Sequence, residues 1–325
     1  MLKNCFTTLA LSSIILFFTQ NHFILGSVWL FTQAILGVLL LLGMIYLRKN
    51  NKLRLLLLFA FLMVLLDKGY HHFMAAPSYQ FNQIQQITPT PLRVLTFNLY
   101  FKNKRPETNI QAILTQDADL VFCQEITPQW VQLLNTSLTS KYPFHKVIAL
   151  KGTHGIGVYS KFPLVNDYQL NNSHNLPYAH LVTVNHPSGI IHTANLHLAS
   201  PAIAFENPQN FVRLYASNAA SRQKQWHTLK TSLEKHPKNE ALLVVGDLNT
   251  LDYEPLYRNI RKDFVDAYRV AGAWPGYNFP NTQKLPFKIA RLDYLLLQGK
   301  VQTTQAKVLP QSSSDHFAIV VDLLF

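Results

Sequence analysis

The strongest constraint in this sequence is a run of 43 residues, from Cys5 to Leu47, that contains no Asp, Glu, Lys or Arg. As one continuous helix rising about 1.5 Å per residue, this run would measure roughly 65 Å, twice the ~30 Å hydrocarbon core of a bilayer. The run has polar breaks at 20–22 and 26–27, so it predicts two membrane-spanning helices, 5–22 and 27–47. We therefore expect a membrane protein rather than a simple soluble enzyme.

A third apolar segment follows a cluster of positive charge. Four basic residues lie within 48–54, and the next twelve residues, 55–66, are all apolar. Twelve residues are short for a span, but flanking basic and aromatic side chains can lengthen the apolar segment to 53–74. An interfacial helix is the alternative for this segment, and a cleaved signal peptide is the alternative for 5–22. We expect a three-helix transmembrane anchor over 1–74.

The basic residues also predict the orientation of this anchor. Positively charged loops between membrane helices remain in the cytoplasm. The loop 48–54 carries four positive charges and the loop 21–27 carries none. Three spans therefore place the rest of the chain outside the cytoplasm, whereas two spans would place it inside. Residues 75–91 contain Pro and Gln with almost no charge, which is typical of a linker. We expect an integral protein of the cytoplasmic membrane with the lipid bilayer as its partner, and we predict no protein partner.

The charge of the remaining sequence favours an anionic partner without identifying it. From Tyr79 onward there are 23 basic and 16 acidic side chains, a surplus of seven positive charges. This surplus suits an anionic substrate, anionic lipid head groups or nucleic acid. The two cysteines, Cys5 and Cys123, supply neither a disulfide framework nor a cysteine metal site.

From Leu92 onward, strand and helix patterns alternate. About ten strands are indicated, among them 92–97, 119–124, 155–160, 179–185, 189–196, 242–245, 291–297, 301–308 and 317–323. Helices begin at Pro106 and after Thr127, and a long helix covers about 209–235. This order predicts an α/β domain over 92–325, in which two β-sheets pack face to face and are flanked by helices.

Polar side chains stand where several of these apolar strands begin or end. They are Asn98, Glu125, His197, Asp247, Asn249, Asp293, Asp315 and His316. Taken singly, each has an ordinary explanation as a turn residue or a solvated charge. Taken together, the carboxylates and amides supply the hard oxygen ligands that Mg²⁺ or Mn²⁺ prefers, and the histidines can transfer protons. This set suits metal-assisted hydrolysis of a phosphate ester.

Six short motifs carry a resemblance to a known family. They are LTFN (95–98), QE (124–125), NLHL (195–198), GDLN (246–249), RLDYLL (291–296) and SDH (314–316). Their order resembles that of the endonuclease/exonuclease/phosphatase superfamily, the DNase I-like proteins, which includes nucleases, sphingomyelinases and inositol-phosphate phosphatases. The resemblance covers 92–325 and implies a four-layer sandwich of two sheets between helices. With the three-helix anchor, the chain resembles a membrane-anchored bacterial branch, some members of which are linked to polyprenyl-pyrophosphate dephosphorylation.

The resemblance implies a divalent metal site, with Mg²⁺ or Mn²⁺ as the cofactor. Glu125 is implied as the main metal carboxylate, and Asn98 and Asp315 as its helpers. One departure concerns the position two residues after Asn98. Many nuclease members have an acidic or amide residue there, whereas this chain has Tyr100. A metal ligand can therefore be missing, which weakens the nuclease interpretation.

The resemblance implies catalytic roles for five further residues. Asp247 is implied to align or deprotonate the attacking water, and Asn249 to hold the phosphate or that water. His316, oriented by Asp293, is implied as the essential histidine, and His197 as a second histidine that contacts a phosphate oxygen. Whether His316 or Asp247 takes the proton stays open at this point.

Three functions compete on this sequence. The leading hypothesis is a membrane-anchored, metal-dependent phosphoesterase that acts on a phosphate ester or pyrophosphate of a lipid-linked substrate, because tethering raises the local concentration of a membrane-borne substrate. The first alternative is an extracytoplasmic nuclease, which is less favoured because the positive charges are spread along the chain rather than clustered. The second alternative is a catalytically silent membrane scaffold, which has no need of a paired Asp293 and His316.

Overall fold

A computed structural model of the protein describes residues 2–18, 37–46, 50–69, 90–273, 275–282 and 288–325. The chain divides into two compact units. The first unit comprises Met1–Ser78, Pro201–Ala220 and Asp252–Lys262; the second comprises Tyr79–Ser200, Ser221–Leu251 and Asp263–Phe325. The boundaries 1–74, 75–91 and 92–325 that the sequence suggests for anchor, linker and catalytic domain stay predictions.

The first unit contains three N-terminal helical segments: α1 (Leu2–Phe18), α2 (37–46) and α3 (Asn51–Gly69). The side chain of Asn50 caps α3, because its Oδ1 accepts a hydrogen bond from Leu53 N at 3.2 Å. The helices bury a small apolar cluster, formed by Ala10, Leu40, Leu53, Leu57 and Ala60, and Tyr253 packs against it.

The predicted membrane spans are only partly covered by these helices. In the described part of the chain, no helix is both long and apolar enough to cross a membrane. The predicted spans 5–22 and 27–47 continue into residues 19–36, and the predicted span 53–74 continues past residue 69; those parts lie outside the described residues. The transmembrane anchor therefore stays a proposal.

The second unit contains two β-sheets. Sheet A consists of β1 (Pro91–Asn98), β2 (Leu120–Gln124), β3 (Phe144–Ile148), β4 (Ile156–Ser160), β11 (Gln302–Val308) and β12 (Ile319–Leu324). Sheet B consists of β5 (Leu164–Asn171), β6 (Pro177–His186), β7 (Gly189–His197), β8 (Ala241–Asp247), β9 (Val265–Asp266) and β10 (Asp293–Gln298). The strand orders are β11-β12-β1-β2-β4-β3 and β5-β6-β7-β8-β10-β9.

The remaining helices lie between the strands in sequence. They are α4 (Pro106–Gln116), α5 (Pro128–Leu138), α6 (Ala202–Glu206), α7 (Phe211–Leu233), α8 (Pro255–Ile260) and α9 (Ala267–Ala271), with a 3-10 turn at Pro208–Asn210. α5 begins where the sequence predicts, because Thr127 caps it by accepting a hydrogen bond from Trp130 N. α4 and α5 cover the outer face of sheet A, where Ile113, Trp130 and Leu134 are buried.

The two sheets pack through their apolar faces. The core between them combines side chains of both sheets, including Val94, Phe122 and Val158 from sheet A and Val182, Leu243 and Leu295 from sheet B. Full burial of one such side chain stabilises the fold by about 1.5–3 kcal/mol. The prediction of two sheets flanked by helices is confirmed.

The pairing of the strands explains why the polar strand ends meet. β1 and β2 are parallel neighbours, and so are β7 and β8, with His197 opposite Asp247. β10 runs antiparallel to β8 and places Asp293 opposite Asp247. Parallel strands end at the same edge of a sheet, and an antiparallel neighbour begins there. Each sheet therefore collects its polar residues at one edge.

Three strands were not predicted from the sequence: β3, β5 and β9. β3 and β5 are edge strands with half-exposed or exposed side chains, and β9 is an edge strand of two residues. β3 and β5 lack both the continuous apolar run of a central strand and a clear alternation, because water covers much of their surface. β9 is buried but, at two residues, too short to show either pattern.

Candidate active site

The structure places all eight predicted site residues at strand ends or in the loops that follow them. All are buried except the half-buried Asp315. Asn98 ends β1, Glu125 follows β2, and Asp315 and His316 precede β12; His197 ends β7, Asp247 ends β8, Asn249 follows it, and Asp293 begins β10. Direct contacts join the side chains of six of these residues into one cluster, and Asn249 contacts it through its backbone N. Asp315 interacts with the cluster electrostatically.

A histidine–carboxylate pair forms the first part of the cluster. His316 Nδ1 donates to Asp293 Oδ2 at 2.6 Å, and His316 Nε2 lies 3.8 Å from Asp247 Oδ2. Burial alone would lower the pKa of the His316 imidazole, but the charge and hydrogen bond of Asp293, helped by Asp247, raise it to about 10. His316 is therefore an imidazolium at neutral pH and acts as a donor in this arrangement.

Asp247 is the central acceptor of the site. Its Oδ1 accepts from Asn249 N at 2.8 Å, and its Oδ2 accepts from Asn98 Nδ2 at 3.1 Å. The pKa of the Asp247 carboxyl is raised by burial and by the neighbouring charge of Asp293, and it is partly lowered again by the two histidines. A carboxylate with a raised pKa is a better proton acceptor than an ordinary one.

The second histidine is held in a defined orientation. His197 Nδ1 donates to the backbone carbonyl of Thr153 at 2.8 Å. Its Nε2 consequently faces the site, 3.6 Å from Asp247 Oδ2 and 3.9 Å from Glu125 Oε1. Because the Nδ1 proton is committed to a carbonyl, Nε2 is the atom that can contact a substrate.

Glu125 and Asn98 form the part of the site that can hold a cation. Glu125 Oε2 accepts from Phe101 N at 2.9 Å, and its Oε1 accepts from Asn98 Nδ2 at 3.2 Å. Glu125 has a φ of 61°, a left-handed conformation uncommon for a residue with a side chain. Tyr100 has a φ of 62°, and its backbone N donates to Asn98 Oδ1 at 3.1 Å. The backbone of Tyr100 therefore contacts Asn98, one of the predicted metal ligands.

Asp315 adds a further carboxylate to this region. Burial raises the pKa of the Asp315 carboxyl, His316 lowers it, and the charge of Glu125 raises it again. Its Oδ1 accepts from Ser314 Oγ at 3.3 Å. The electrostatic effect of Glu125 shows that the two predicted metal carboxylates influence each other.

The donor set fits a divalent cation. In the described part of the chain, no Lys or Arg forms an ion pair with Glu125, Asp247 or Asp315, and the positive charge that acts on Asp247 and Asp315 is that of the site histidines. Ligand atoms of Asp247, Asp293 and His316 also lie within 4.8 Å of one another. His316 Nδ1 and Asp293 Oδ2 are, however, already bonded to each other, and Mg²⁺ prefers oxygen ligands to imidazole. The oxygens of Glu125 and its neighbours are therefore the better ligands.

Asn278 is a site residue that the sequence did not single out. It is fully buried, and its Nδ2 donates to Asp293 Oδ2 at 2.5 Å and to the carbonyl of Phe317 at 3.0 Å. Its Oδ1 accepts from Leu292 N at 3.1 Å. Asn278 thereby bonds Asp293 directly and also fixes the residue after His316. It lies in a loop without a motif, so only the spatial contact reveals it.

The sequence of this chain matches a known protein family across most of the second unit. Residues 95–316 match the Endonuclease/Exonuclease/phosphatase family. The chain belongs to this family. Family members are hydrolases of phosphate esters, so the prediction of a phosphoester hydrolase is confirmed at this level. They generally use divalent metal ions, which agrees with the donor set around Glu125.

Solved structures of this fold resemble the chain despite low sequence identity. D. rerio TDP2 complexed with a single-strand DNA product is 15% identical, with a TM-score of 0.58 over 72% of this chain and 99% of that one. Sphingomyelinase C from Streptomyces griseocarneus is 17% identical, with a TM-score of 0.54 over 72% and 99%. The mannosyl-6-phosphatase of Bacteroides thetaiotaomicron is 17% identical, with a TM-score of 0.54 over 72% and 100%. No curated protein sequence matches the chain. At these identities the structural similarity establishes the fold.

Proposed function

We propose that the protein hydrolyses a phosphate ester or pyrophosphate by metal-assisted attack of water. The observation that carries this proposal is the position of Asp247 Oδ2. This atom is bonded to Asn98 on the cation side and lies 3.6 Å and 3.8 Å from the two site histidines. A single carboxylate oxygen thus lies between the groups that hold a cation and the groups that can contact a phosphate.

The mechanism follows from the protonation and orientation of these side chains. Glu125, with Asn98 and Asp315, would hold a Mg²⁺ or Mn²⁺ ion, which would neutralise charge on the phosphate oxygens. Asp247 accepts the proton of the attacking water as the water oxygen bonds to phosphorus and the P–O bond to the leaving group breaks. The leaving group departs as an oxyanion, which takes a proton from solvent. The imidazolium of His316, held by Asp293, donates to a phosphate oxygen and stabilises the negative charge that develops there.

Two further side chains complete this arrangement on the sheet B side. His197 presents Nε2 toward a second phosphate oxygen, because its Nδ1 is bonded to the carbonyl of Thr153. The backbone N of Asn249 donates to Asp247, and its Nδ2 donates to the carbonyl of Leu198 at 3.0 Å. Asn249 therefore orients Asp247 and can hold the substrate only through its side-chain Oδ1.

We further propose that the enzyme is anchored in the cytoplasmic membrane and acts on a lipid-linked phosphate. Apolar side chains of α2 and α3 support this part of the proposal: Ile45 is 63% exposed and Leu55 is 65% exposed. Rows of exposed leucine and isoleucine on helices need an apolar environment. An anchored enzyme encounters membrane-borne substrates at a high effective concentration.

The catalytic domain is proposed to lie outside the cytoplasm, on the basis of the basic loop 48–54 and three spans. The alternative is two spans, which would place the catalytic domain in the cytoplasm. Fusion of alkaline phosphatase after Phe325 distinguishes the two. Activity supports three spans, and activity of a fluorescent protein at the same position instead supports two.

A phosphate-release panel tests the proposed activity. The purified, detergent-solubilised protein is assayed with Mg²⁺ on polyprenyl pyrophosphate, phospholipids, sphingomyelin, inositol phosphates and plasmid DNA. The proposal expects EDTA-sensitive turnover that is fastest on a lipid-linked phosphate. Preferred cleavage of DNA would make the protein a nuclease. No turnover of any substrate, with Mg²⁺ or Mn²⁺, would favour the silent scaffold.

A further inference from the structure

A buried polar contact joins the two sheets one residue before Glu125. Gln124 ends β2 in sheet A, and Asn195 lies in β7 of sheet B; both are fully buried. Gln124 Nε2 donates to Asn195 Oδ1 at 2.7 Å and to Thr96 Oγ1 at 3.3 Å. Because the surrounding core is apolar, this bond is stronger and more directional than one in water.

All the side-chain hydrogen bonds of Asn195 end on sheet A. Its Nδ2 donates to the carbonyl of Cys123 at 3.0 Å and to the carbonyl of Gly157 at 2.8 Å. These two acceptors belong to β2 and β4, which pair at this point. With Nδ2 donating to two carbonyls, Oδ1 is the atom left to accept from Gln124. The orientation of the amide is therefore fixed by its surroundings.

The glycine of the GDLN motif leaves space for the same amide. A Cβ atom at Gly246 would lie 3.0 Å from Gln124 Nε2 and 2.2 Å from the carbonyl oxygen of Leu196. The φ of Gly246 is +128°, a conformation that residues with side chains rarely adopt. Gln124 thus approaches the backbone of β8 immediately before Asp247.

We propose that Gln124 and Asn195 are positioning residues that set the distance between the cation side of the site and its proton-transferring side. Gln124 is followed by Glu125, and Asn195 lies two residues before His197. The distance that this pair controls is the 3.9 Å from His197 Nε2 to Glu125 Oε1. Apolar contacts between sheets set no exact lateral position, whereas a hydrogen bond does. The catalytic meaning of this inference rests on the proposed phosphoesterase function.

The kinetic test compares Gln124→Met with a matched control. The Met variant keeps the length of the side chain and removes both of its hydrogen bonds. The control is Thr193→Val, which removes the buried bond from Thr193 Oγ1 to the carbonyl of Val182, within sheet B. With bis(p-nitrophenyl) phosphate and Mg²⁺, Gln124→Met should lower kcat about 100-fold at unchanged KM, because small displacements in a site carry such costs. Thr193→Val should lower Tm but leave kcat unchanged.

A crystal structure of Gln124→Met gives a readout that does not depend on activity. The separation of His197 Nε2 and Glu125 Oε1 should change by more than about 0.5 Å, the tolerance of a catalytic arrangement. Thr96→Val removes only the 3.3 Å bond from Gln124 Nε2 to Thr96 Oγ1. It should also lower kcat, by about tenfold. This variant replaces Gln124→Met if Gln124→Met does not fold.

An unchanged separation in the crystal would overturn the positioning role, and so would an equal loss of kcat in the Thr193→Val control. A wild-type protein that turns over neither this diester nor any substrate of the phosphate-release panel would contradict the proposed function instead. The changed separation would then still support the positioning of Glu125 against His197. The two failures are therefore distinguishable.

Discussion

The two sheets contribute different chemistry to one site. Sheet A provides Asn98 and Glu125 at the ends of β1 and β2, and these residues offer oxygen ligands to a cation. Sheet B provides His197, Asp247 and Asp293 at the matching ends of β7, β8 and β10. In the proposed mechanism these residues accept a proton, hold a protonated histidine or contact the phosphate. In the proposed mechanism neither sheet is sufficient alone, so the contact between the sheets determines the geometry of the reaction.

His316 is the exception that links the two sets. It precedes β12 of sheet A, yet its Nδ1 is bonded to Asp293 of sheet B at 2.6 Å. In the proposed mechanism, a substitution on the cation side weakens metal binding, so a higher metal concentration should compensate for it.

A substitution on the proton-transferring side should not respond to metal concentration. The metal dependence of activity therefore distinguishes the roles of the two sheets.

The largest effect is expected for Asp247→Asn on sheet B. This variant keeps the shape of the side chain but removes the proton acceptor, so kcat should fall by about 10⁴-fold, the upper end of the range for general acid–base groups. Raising Mg²⁺ should not restore turnover. Asp117→Asn is the control, because Asp117 is an exposed carboxylate paired with Lys141 and Lys161. Equal losses in both variants would show that the effect is not specific to the site.

A smaller effect is expected for Glu125→Gln on sheet A. The variant loses the charge that holds the cation, so kcat at low Mg²⁺ should fall by about 10³-fold, in the range of electrostatic transition-state stabilisation. High Mg²⁺ should recover part of this loss. A Mg²⁺ titration of the initial rate measures it. Full activity of Glu125→Gln in the presence of EDTA would contradict a metal mechanism.

The histidine–carboxylate pair should lose activity as a unit. Asp293→Asn leaves His316 in place but removes the charge that keeps it protonated, so kcat should fall by about 10²-fold. The double variant Asp293→Asn/His316→Ala should be scarcely slower than His316→Ala alone, because residues that act together are not additive. Losses that multiply, measured with the same substrate and metal, would mean independent roles.

The smallest effect is expected for Asn278→Ala. Asn278 donates a hydrogen bond to Asp293 but is not one of the residues predicted to contact the substrate. Its removal should therefore lower kcat by about tenfold, as for other residues that orient site groups. Asn103→Ala is the control, because Asn103 also bonds a backbone carbonyl and a side chain, those of Leu99 and Ser313, but none of the predicted site residues. A loss in Asn103→Ala as large as that in Asn278→Ala would remove Asn278 from the site.

The sequence was sufficient for the central strands and for the residues at their ends. β1, β2, β7, β8 and β10 are buried runs followed or preceded by a single polar residue, and each was predicted to within a few positions. A strand that is buried on both faces needs apolar residues at nearly every position, so it is visible in the sequence as a continuous apolar run. The structure brings these strand ends together, and the catalytic and metal-binding roles of their residues stay predictions.

Other features depend on contacts that sequence position does not encode. Asn278 lies fifteen residues before Asp293, in a loop rich in aromatic residues that carries no recognisable motif. Its place in the site depends on its hydrogen bond to Asp293. The bond between Gln124 and Asn195 joins residues 71 positions apart. The exposed edge strands β3 and β5 were missed because solvent, not the core, faces their side chains.

The position of the cation tests the division between the sheets most directly. Crystals grown with Mn²⁺ and measured at its absorption edge give an anomalous peak at the metal. We expect this peak within coordination distance of Glu125 Oε1, on the sheet A side of Asp247. A peak between Asp293 and His316, where ligand atoms also lie within 4.8 Å of one another, would contradict the assignment of the cation to sheet A.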